Sequence, residues 1–240
     1  MIKTGQFTLF DGKLILSQPE QGYRVAIDPI FLAASIPSEQ FENARILDMG
    51  CGIGTIGLCL LSRFSCSVTG VDIQKDYIAL ANQNAKDLGQ SEQCHFVSGD
   101  LNDWTVDEPF DVVVTNPPYM AEGTCSENEA KSRANKETTP FADWVDAGFR
   151  ALTKGGYLFM IHRTDRLHEL LATLQQKDFG SFEIYPLWPR AGQASKRVII
   201  KARKMKYAPL IMHSGLVLHE GDMYTSAARH VLYDGQGLSF

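Results

Sequence analysis

Residues 44–64, ARILDMGCGIGTIGLCLLSRF, decide the fold. Residues 44–49 form a short, mostly apolar run that reads as a strand. The glycine-rich Gly50-Cys51-Gly52-Ile53-Gly54 turns the chain, and a helix of about ten residues is expected from Thr55. The same order repeats downstream. Strands are expected over 67–71, 95–98, 110–115 and 157–162, separated by helices over about 75–88, 140–152 and 165–177. Strands and helices alternating at this spacing mean βαβ crossovers and an α/β fold with a parallel sheet. Two further strands, about 182–187 and 197–202, have no helix between them and read as an antiparallel hairpin at one edge.

Upstream, residues 1–27 alternate loosely around Asp11-Gly12 and Gln21-Gly22, which favours short strands. Asp28 followed by Pro29 is a helix start, with Asp28 read as the N-cap and Pro37 as the stop. The chain is therefore divided into an N-terminal strand and short-helix extension, 1–43, packed on a main domain, 44–240. That domain closes with an amphipathic helix over 223–233, carrying Tyr224, Ala227, Ala228 and Val231 on one face. The polar stretch 121–138 lacks a large apolar residue and directly follows a strand tip, so it is expected to be a substrate-side lid.

A hydrophobic fraction of 44% over 240 residues suits a globular protein with a substantial core. The longest apolar runs are far short of a membrane span, and no signal-peptide pattern opens the sequence. Five cysteines without a CxxC pair argue against a disulfide scaffold or a zinc site, and the histidines show no metal spacing. A reduced, cytoplasmic setting follows. The net charge of −5 argues against a general nucleic-acid coat, but it is unevenly spread. Residues 1–120 hold 7 basic and 15 acidic residues, and residues 121–240 hold 16 and 13. Six basic residues fall in 196–206, KRVIIKARKMK, a composition compatible with a polyanionic substrate. Lys196, Arg197, Lys201, Arg203 and Lys204 are the candidates for phosphate contacts.

The strand tips carry the chemistry. Asp48, Gly50, Gly52 and Gly54 form a loop where glycine lets backbone approach a ligand. Asp72, 20 residues past Gly52, ends the next strand and suits two ribose hydroxyls. Asp100 follows the third and can accept from an adenine amino group. The spacing departs from the G-x-G-x-x-G of dinucleotide binders, and Asp48 would repel a phosphate while suiting an ammonium. Together these tips point to S-adenosylmethionine. The fourth tip is Asn116-Pro117-Pro118-Tyr119. The Asn116 side-chain oxygen and the Pro117 carbonyl can accept both hydrogens of an exocyclic amino group, while Tyr119 stacks on the ring. The nitrogen lone pair is then aimed at an electrophilic methyl.

These motifs resemble the class I S-adenosylmethionine-dependent methyltransferases over about residues 44–203. The resemblance implies a Rossmann-like, seven-stranded, mostly parallel sheet with an antiparallel edge hairpin and helices on both faces. It assigns cofactor contacts to Asp48, Gly50, Gly52, Gly54, Asp72, Ile73, Asp100, Leu101 and Asn116, and catalysis to Asn116, Pro117 and Tyr119. GYRVAIDPIFLAA at 22–34, NPPYM at 116–120 and YTSAARHVLY at 224–233 further resemble the tRNA1(Val) adenine-N6 methyltransferases, which modify the adenosine beside the anticodon. That implies a tRNA substrate and a monomer or weak dimer, without metal or membrane. Where many of those proteins carry an arginine–aromatic or arginine–histidine pattern, this chain has Ser132-Arg133-Ala134-Asn135; Arg133 and Arg24 are further candidate substrate contacts. The same NPPY chemistry serves enzymes acting on a protein glutamine amide or a ribosomal RNA guanine. A cofactor-binding RNA module without catalysis and a dinucleotide oxidoreductase are the readings from other classes. Cys51 reads as a small filler and Trp104, Trp144 and Trp188 as core or near-core residues.

Overall fold

The computed structural model describes residues 3–21, 25–118 and 140–238. The chain opens with an antiparallel hairpin, β1 (Thr4–Leu9) and β2 (Leu14–Pro19), turning through Phe10 to Gly12. Helix α1 (Asp28–Ala34) is buried along its length, and the short α2 (Ser38–Phe41) follows. The structure corrects the capping role expected of Asp28. Ile27 occupies the cap position, no side chain caps the helix, and Asp28 is its first residue. Its carboxylate accepts a 2.8 Å hydrogen bond from the Arg197 guanidinium instead. A charge-assisted bond of that kind is stronger than a bond to a neutral amide.

The alternating unit comprises β3 (Arg45–Met49), α3 (Thr55–Leu61), β4 (Ser67–Asp72), α4 (Lys75–Asp87), β5 (Cys94–Ser98) and β6 (Phe110–Thr115). After the segment outside the described residues come α5 (Phe141–Ala151), β7 (Leu152–Arg163), α6 (Leu167–Gln176), β8 (Phe179–Arg190) and β9 (Arg197–Lys204). The last elements are β10 (Ile211–Met212), β11 (Leu216–Glu220), β12 (Met223–Tyr224) and α7 (Ser226–Leu232).

The sheet runs β12-β11-β8-β9-β7-β6-β3-β4-β5, with β10 also paired to β8. Strands β3 to β7 are mutually parallel, and β9 lies antiparallel between β7 and β8. The expected seven strands are all present, but the hairpin is not the edge. Strand β11 pairs parallel to β8 from Leu216 opposite Leu187, and β12 pairs with β11, so the sheet has ten strands. Leu216 and Leu218 are buried while the residues between and after them are partly exposed, the alternation of a strand covered on one face. The closing helix starts at Ser226, later than expected, because the Thr225 hydroxyl accepts the Ala228 amide at 3.2 Å and caps it there.

Strand β6 shows why the central strands are apolar without a break. Val112 and Val114 enter a core shared with α1, α3 and α4, whereas Val113 enters a second core shared with α5 and α6. Successive side chains of a strand point to opposite faces, so two cores require apolar residues at both parities. The two-sided burial fixes the strand tips in register, and every tip with ligand chemistry lies at the same end of the sheet.

Candidate active site

Strand β3 delivers the glycine loop. Gly50 and Cys51 donate to the Val71 carbonyl at 2.8 and 3.1 Å, so the loop is pinned to the neighbouring strand. Gly50 and Gly52 both have positive φ, but for different ends. A Cβ on Gly50 would lie 2.5 Å from the Trp144 ring, so the loop backs directly onto α5. A Cβ on Gly52 would meet nothing within 4 Å, leaving backbone open to a ligand on that side. Gly54, also at positive φ, hands the chain to α3.

Asp72 closes the loop from β4. One carboxylate oxygen accepts the Gly52 amide at 3.0 Å and the other accepts the Gln74 amide at 2.8 Å. Each oxygen keeps a lone pair for a ribose hydroxyl. Ile73 is 62% exposed beside it, an apolar side chain presented at the cofactor tip. Asp100 accepts the Asn102 amide at 2.9 Å, and Leu101 is buried in the core below.

Asp48 is fully buried, with no side-chain partner for its oxygens and only the Gly57 backbone close enough to favour its charge. Burial pushes its pKa up to about 7, with the nearby Asp72 charge adding to the rise and the Gly57 backbone opposing it. A buried carboxyl without a side-chain partner, beside an open glycine backbone, fits the ammonium and backbone-facing part of S-adenosylmethionine. Cys51 is held as a thiol: burial and the charges of Asp48 and Asp72 raise its pKa well above the usual range.

The tip of β6 lies next to the loop. Met49 and Thr115 are register partners, and the buried Thr115 hydroxyl donates to the Met49 carbonyl at 2.9 Å. The next residues are the half-buried Asn116, the buried Pro117 and the exposed Pro118. The Asn116-Pro117 tip is therefore one strand away from the glycine loop. Tyr119, Arg24, Arg133 and the 121–138 stretch lie outside the described residues.

Four of the five basic residues read as phosphate contacts have partners within the fold. Arg197 bonds Asp28, and Lys201 pairs with Glu183 at 2.8 Å. Arg203 Nε and Nη2 donate to the Gly155 carbonyl, and its guanidinium lies 4.4 Å from the Tyr157 ring centroid. Lys204 donates to the Phe149 and Leu152 carbonyls at 2.7 Å each. Arg203 opposes Tyr157 at the far end of β7, whereas Arg197 opposes Arg163 at the site end. An extended strand spreads its cations along its length and onto both faces, so the run forms no single patch. Lys196 alone of the five is exposed, at the site end.

Two residues at the site, Asn84 and Arg150, escaped the sequence reading. Buried Asn84 joins Ser17 of β2 and the Ile53 carbonyl of the glycine loop, tying the hairpin to the cofactor side. Its place three residues after Ala81 on the apolar stripe of α4 was the available signal. Arg150 donates to the Leu101 carbonyl at 2.9 Å and fixes the Asp100 loop from α5. His162, near the end of β7, is buried against the Phe141 ring. Burial, with Arg166, Arg163 and Arg197 adding their charges against a backbone bond to Arg163, brings its pKa down to about 4.

A cavity of about 130 Å³ opens below the proline pair, between α5 and α6. Pro117, Pro118, Phe141, Trp144, Arg166 and Leu170 line it. A wider hollow of about 620 Å³ lies at the opposite end of the strands, around residues 61–67. Ligands of open α/β sheets bind at the carboxyl ends, where the first cavity is. Among the described residues no cluster of acidic, cysteine or histidine side chains could hold a metal, and no helix is long and apolar enough to cross a membrane.

This sheet order, with the glycine loop on β3 and the Asn116-Pro117-Pro118 tip on β6, is that of a class I S-adenosylmethionine-dependent methyltransferase. The chain belongs to the methyltransferase small domain family, which matches residues 28–185. It is 27% identical over 187 residues to a protein of Glaesserella parasuis named tRNA1(Val) (adenine(37)-N6)-methyltransferase, covering 77% of this chain and 79% of that one. A protein of the same name from Haemophilus influenzae is 23% identical over 217 residues, covering 88% and 90%. A crystal structure of a predicted O-methyltransferase from Agrobacterium tumefaciens superposes with a TM-score of 0.73 at 23% identity, covering 88% of this chain and 98% of that chain.

Proposed function

We propose that this methyltransferase modifies N6 of an adenosine in tRNA, the adenosine beside the anticodon of tRNA1(Val). The observation that carries this reading is the adjacency of Asn116-Pro117 to the glycine loop through the Met49–Thr115 pairing. The relatives bearing that name span most of this chain and supply the RNA part of the argument. A cytoplasmic location goes with a tRNA substrate.

S-adenosylmethionine, when bound, supplies an electrophilic methyl group on a sulfonium. Asp48, Asp72, Ile73, Asp100 and the open Gly52 backbone are the residues to hold it. The Asn116 carboxamide oxygen and the Pro117 carbonyl accept the two amino hydrogens of the adenine, which orients the nitrogen lone pair away from ring conjugation. Thr115 supports that posture by tying the β6 tip to β3. Tyr119 supplies the stacking face. As nitrogen gains carbon it sheds one proton, and fixed carbonyl dipoles stabilise the positive charge that develops before the proton leaves to water. An adenosine in an RNA loop reaches such a site because an unpaired base unstacks at low cost.

The test is transfer of labelled methyl from S-adenosylmethionine to tRNA lacking the modification, followed by nucleoside analysis. Labelled N6-methyladenosine is expected. Label on a release-factor glutamine or on guanine of ribosomal RNA would overturn the substrate, and no transfer to any acceptor despite cofactor binding would overturn the enzyme reading.

A further inference from the structure

We propose that the cavity below the proline pair is a second nucleobase subsite, taking the base of a nucleotide adjacent to the target adenosine. This inference rests on the tRNA reading above and adds to it a pocket with its own ligand. Pro117 and Pro118 form part of the wall, but Asn116 does not. A base seated there is therefore not the one whose amino group meets the Asn116 carboxamide.

The lining matches a planar heterocycle. Phe141, Leu170 and the two proline rings provide apolar faces, and 130 Å³ is a small, flat-walled volume rather than a groove for a peptide. A nucleobase seated there stacks its faces on the aromatic and proline walls. His162 in the same wall is uncharged at neutral pH and adds no cation that would favour a bare phosphate. Arg166 is already committed through its terminal nitrogen to Glu169, which further reduces the attraction for a phosphate. The cavity thus reads a base, next to a tip that reads an amino group. Adjacent unstacked nucleotides in a single-stranded loop can fill both.

The test uses RNA hairpins with the target adenosine fixed and either neighbour made abasic. Ala142, an exposed residue of α5 in the cavity wall, is the position to block it by Ala142→Phe. With the full-length protein, one of the two abasic hairpins is expected to lose roughly tenfold in kcat/KM, the order of one base–aromatic contact. Ala142→Phe is expected to lose about the same on the intact hairpin and to show no further loss on the abasic one. Thermal melting and S-adenosylhomocysteine titration check that the variant folds and binds cofactor normally; if it does not, Thr173→Phe from the opposite wall replaces it. Equal kcat/KM and equal binding anisotropy for intact and both abasic hairpins would overturn the subsite while leaving the tRNA reading intact. No binding and no methylation of any hairpin would overturn both.

Discussion

Asp28 and Arg197 are 169 positions apart and meet at 2.8 Å, carboxylate oxygen to guanidinium Nε. The pair fastens α1 to the first residue of β9, at the end of the sheet where Lys196 and the β7 tip lie. Asp28 is the more buried partner, and Arg197 is 34% exposed, so solvent screens part of the interaction. Asp28→Asn is expected to reduce unfolding free energy by about 1–2 kcal/mol. Urea denaturation measures it, and a double-mutant cycle with Arg197→Met should return a coupling of similar size.

Asn116→Ala removes an acceptor that acts on the substrate amino group and leaves the loop and Asp72 untouched. A fall in kcat of about 10²–10³ is expected, the range for losing one oriented polar group at a reacting centre. S-adenosylhomocysteine affinity by calorimetry should be largely unchanged, since the glycine loop and Asp72 keep their hydrogen bonds.

The buried Asp48 makes the cofactor-free protein pH-sensitive. Its folded pKa of about 7 exceeds the unfolded value of 3.8, so between those two pH values the folded state holds a proton that the unfolded state has lost. The contribution is present below about pH 4 and is lost as pH rises to 7, a change of about 4 kcal/mol by linkage. Asp48→Asn should therefore raise the melting temperature of the cofactor-free protein at pH 8. Cofactor ammonium favours the ionised carboxylate, so wild-type affinity should tighten as pH rises from 6 to 8 and flatten in the variant. An unchanged affinity slope in Asp48→Asn would rule out the role given to this carboxyl.

Two glycines of one loop should fail differently. Gly50→Ala drives a methyl into the Trp144 ring and strains a positive φ, with an expected stability loss of about 2–4 kcal/mol. Gly52→Ala meets open space, so its stability loss should be nearer 1 kcal/mol. Its main effect should be weaker cofactor binding. Chemical denaturation and cofactor titration on both variants separate the two outcomes.

Lys204 and Lys196 should also part. Lys204→Met strips two backbone carbonyls near the end of α5 of their donor and should lower stability by about 1 kcal/mol without changing RNA affinity. Lys196→Gln should leave stability unchanged and, if it meets a phosphate, reduce the slope of log K against log salt by about one. Filter binding at several salt concentrations gives the slope.

The alternation of elements was legible because βαβ units carry local punctuation. Gly50 to Gly54 marks one turn and the two prolines mark another, each beside a strand with two-sided burial. The mostly parallel sheet with an antiparallel hairpin agrees with the pairing found, although β11 and β12 extend the sheet beyond that hairpin. What the sequence concealed was partnership between distant residues. A basic run looks the same whether its charges face phosphate or, like Arg203 and Lys204, satisfy carbonyls of their own fold. Asp28 before proline has the local signature of a cap, and only the tertiary position of Arg197 diverts it. Strands β10 to β12 are two to five residues long, too short to impose a period, so the widening of the sheet was missed.

Helix α7 and strand β11 share a core with α1, and the Leu238 amide donates to the Ala34 carbonyl at 2.7 Å. Helix α1 is thus covered in part by elements much later in the sequence. Until those elements emerge, Phe31, Leu32 and their neighbours have only part of their cover, and closing so long a loop is a slow, non-local step. A chain folding in sequence order therefore passes through a stage in which the central strands can already pair while α1 still presents apolar surface.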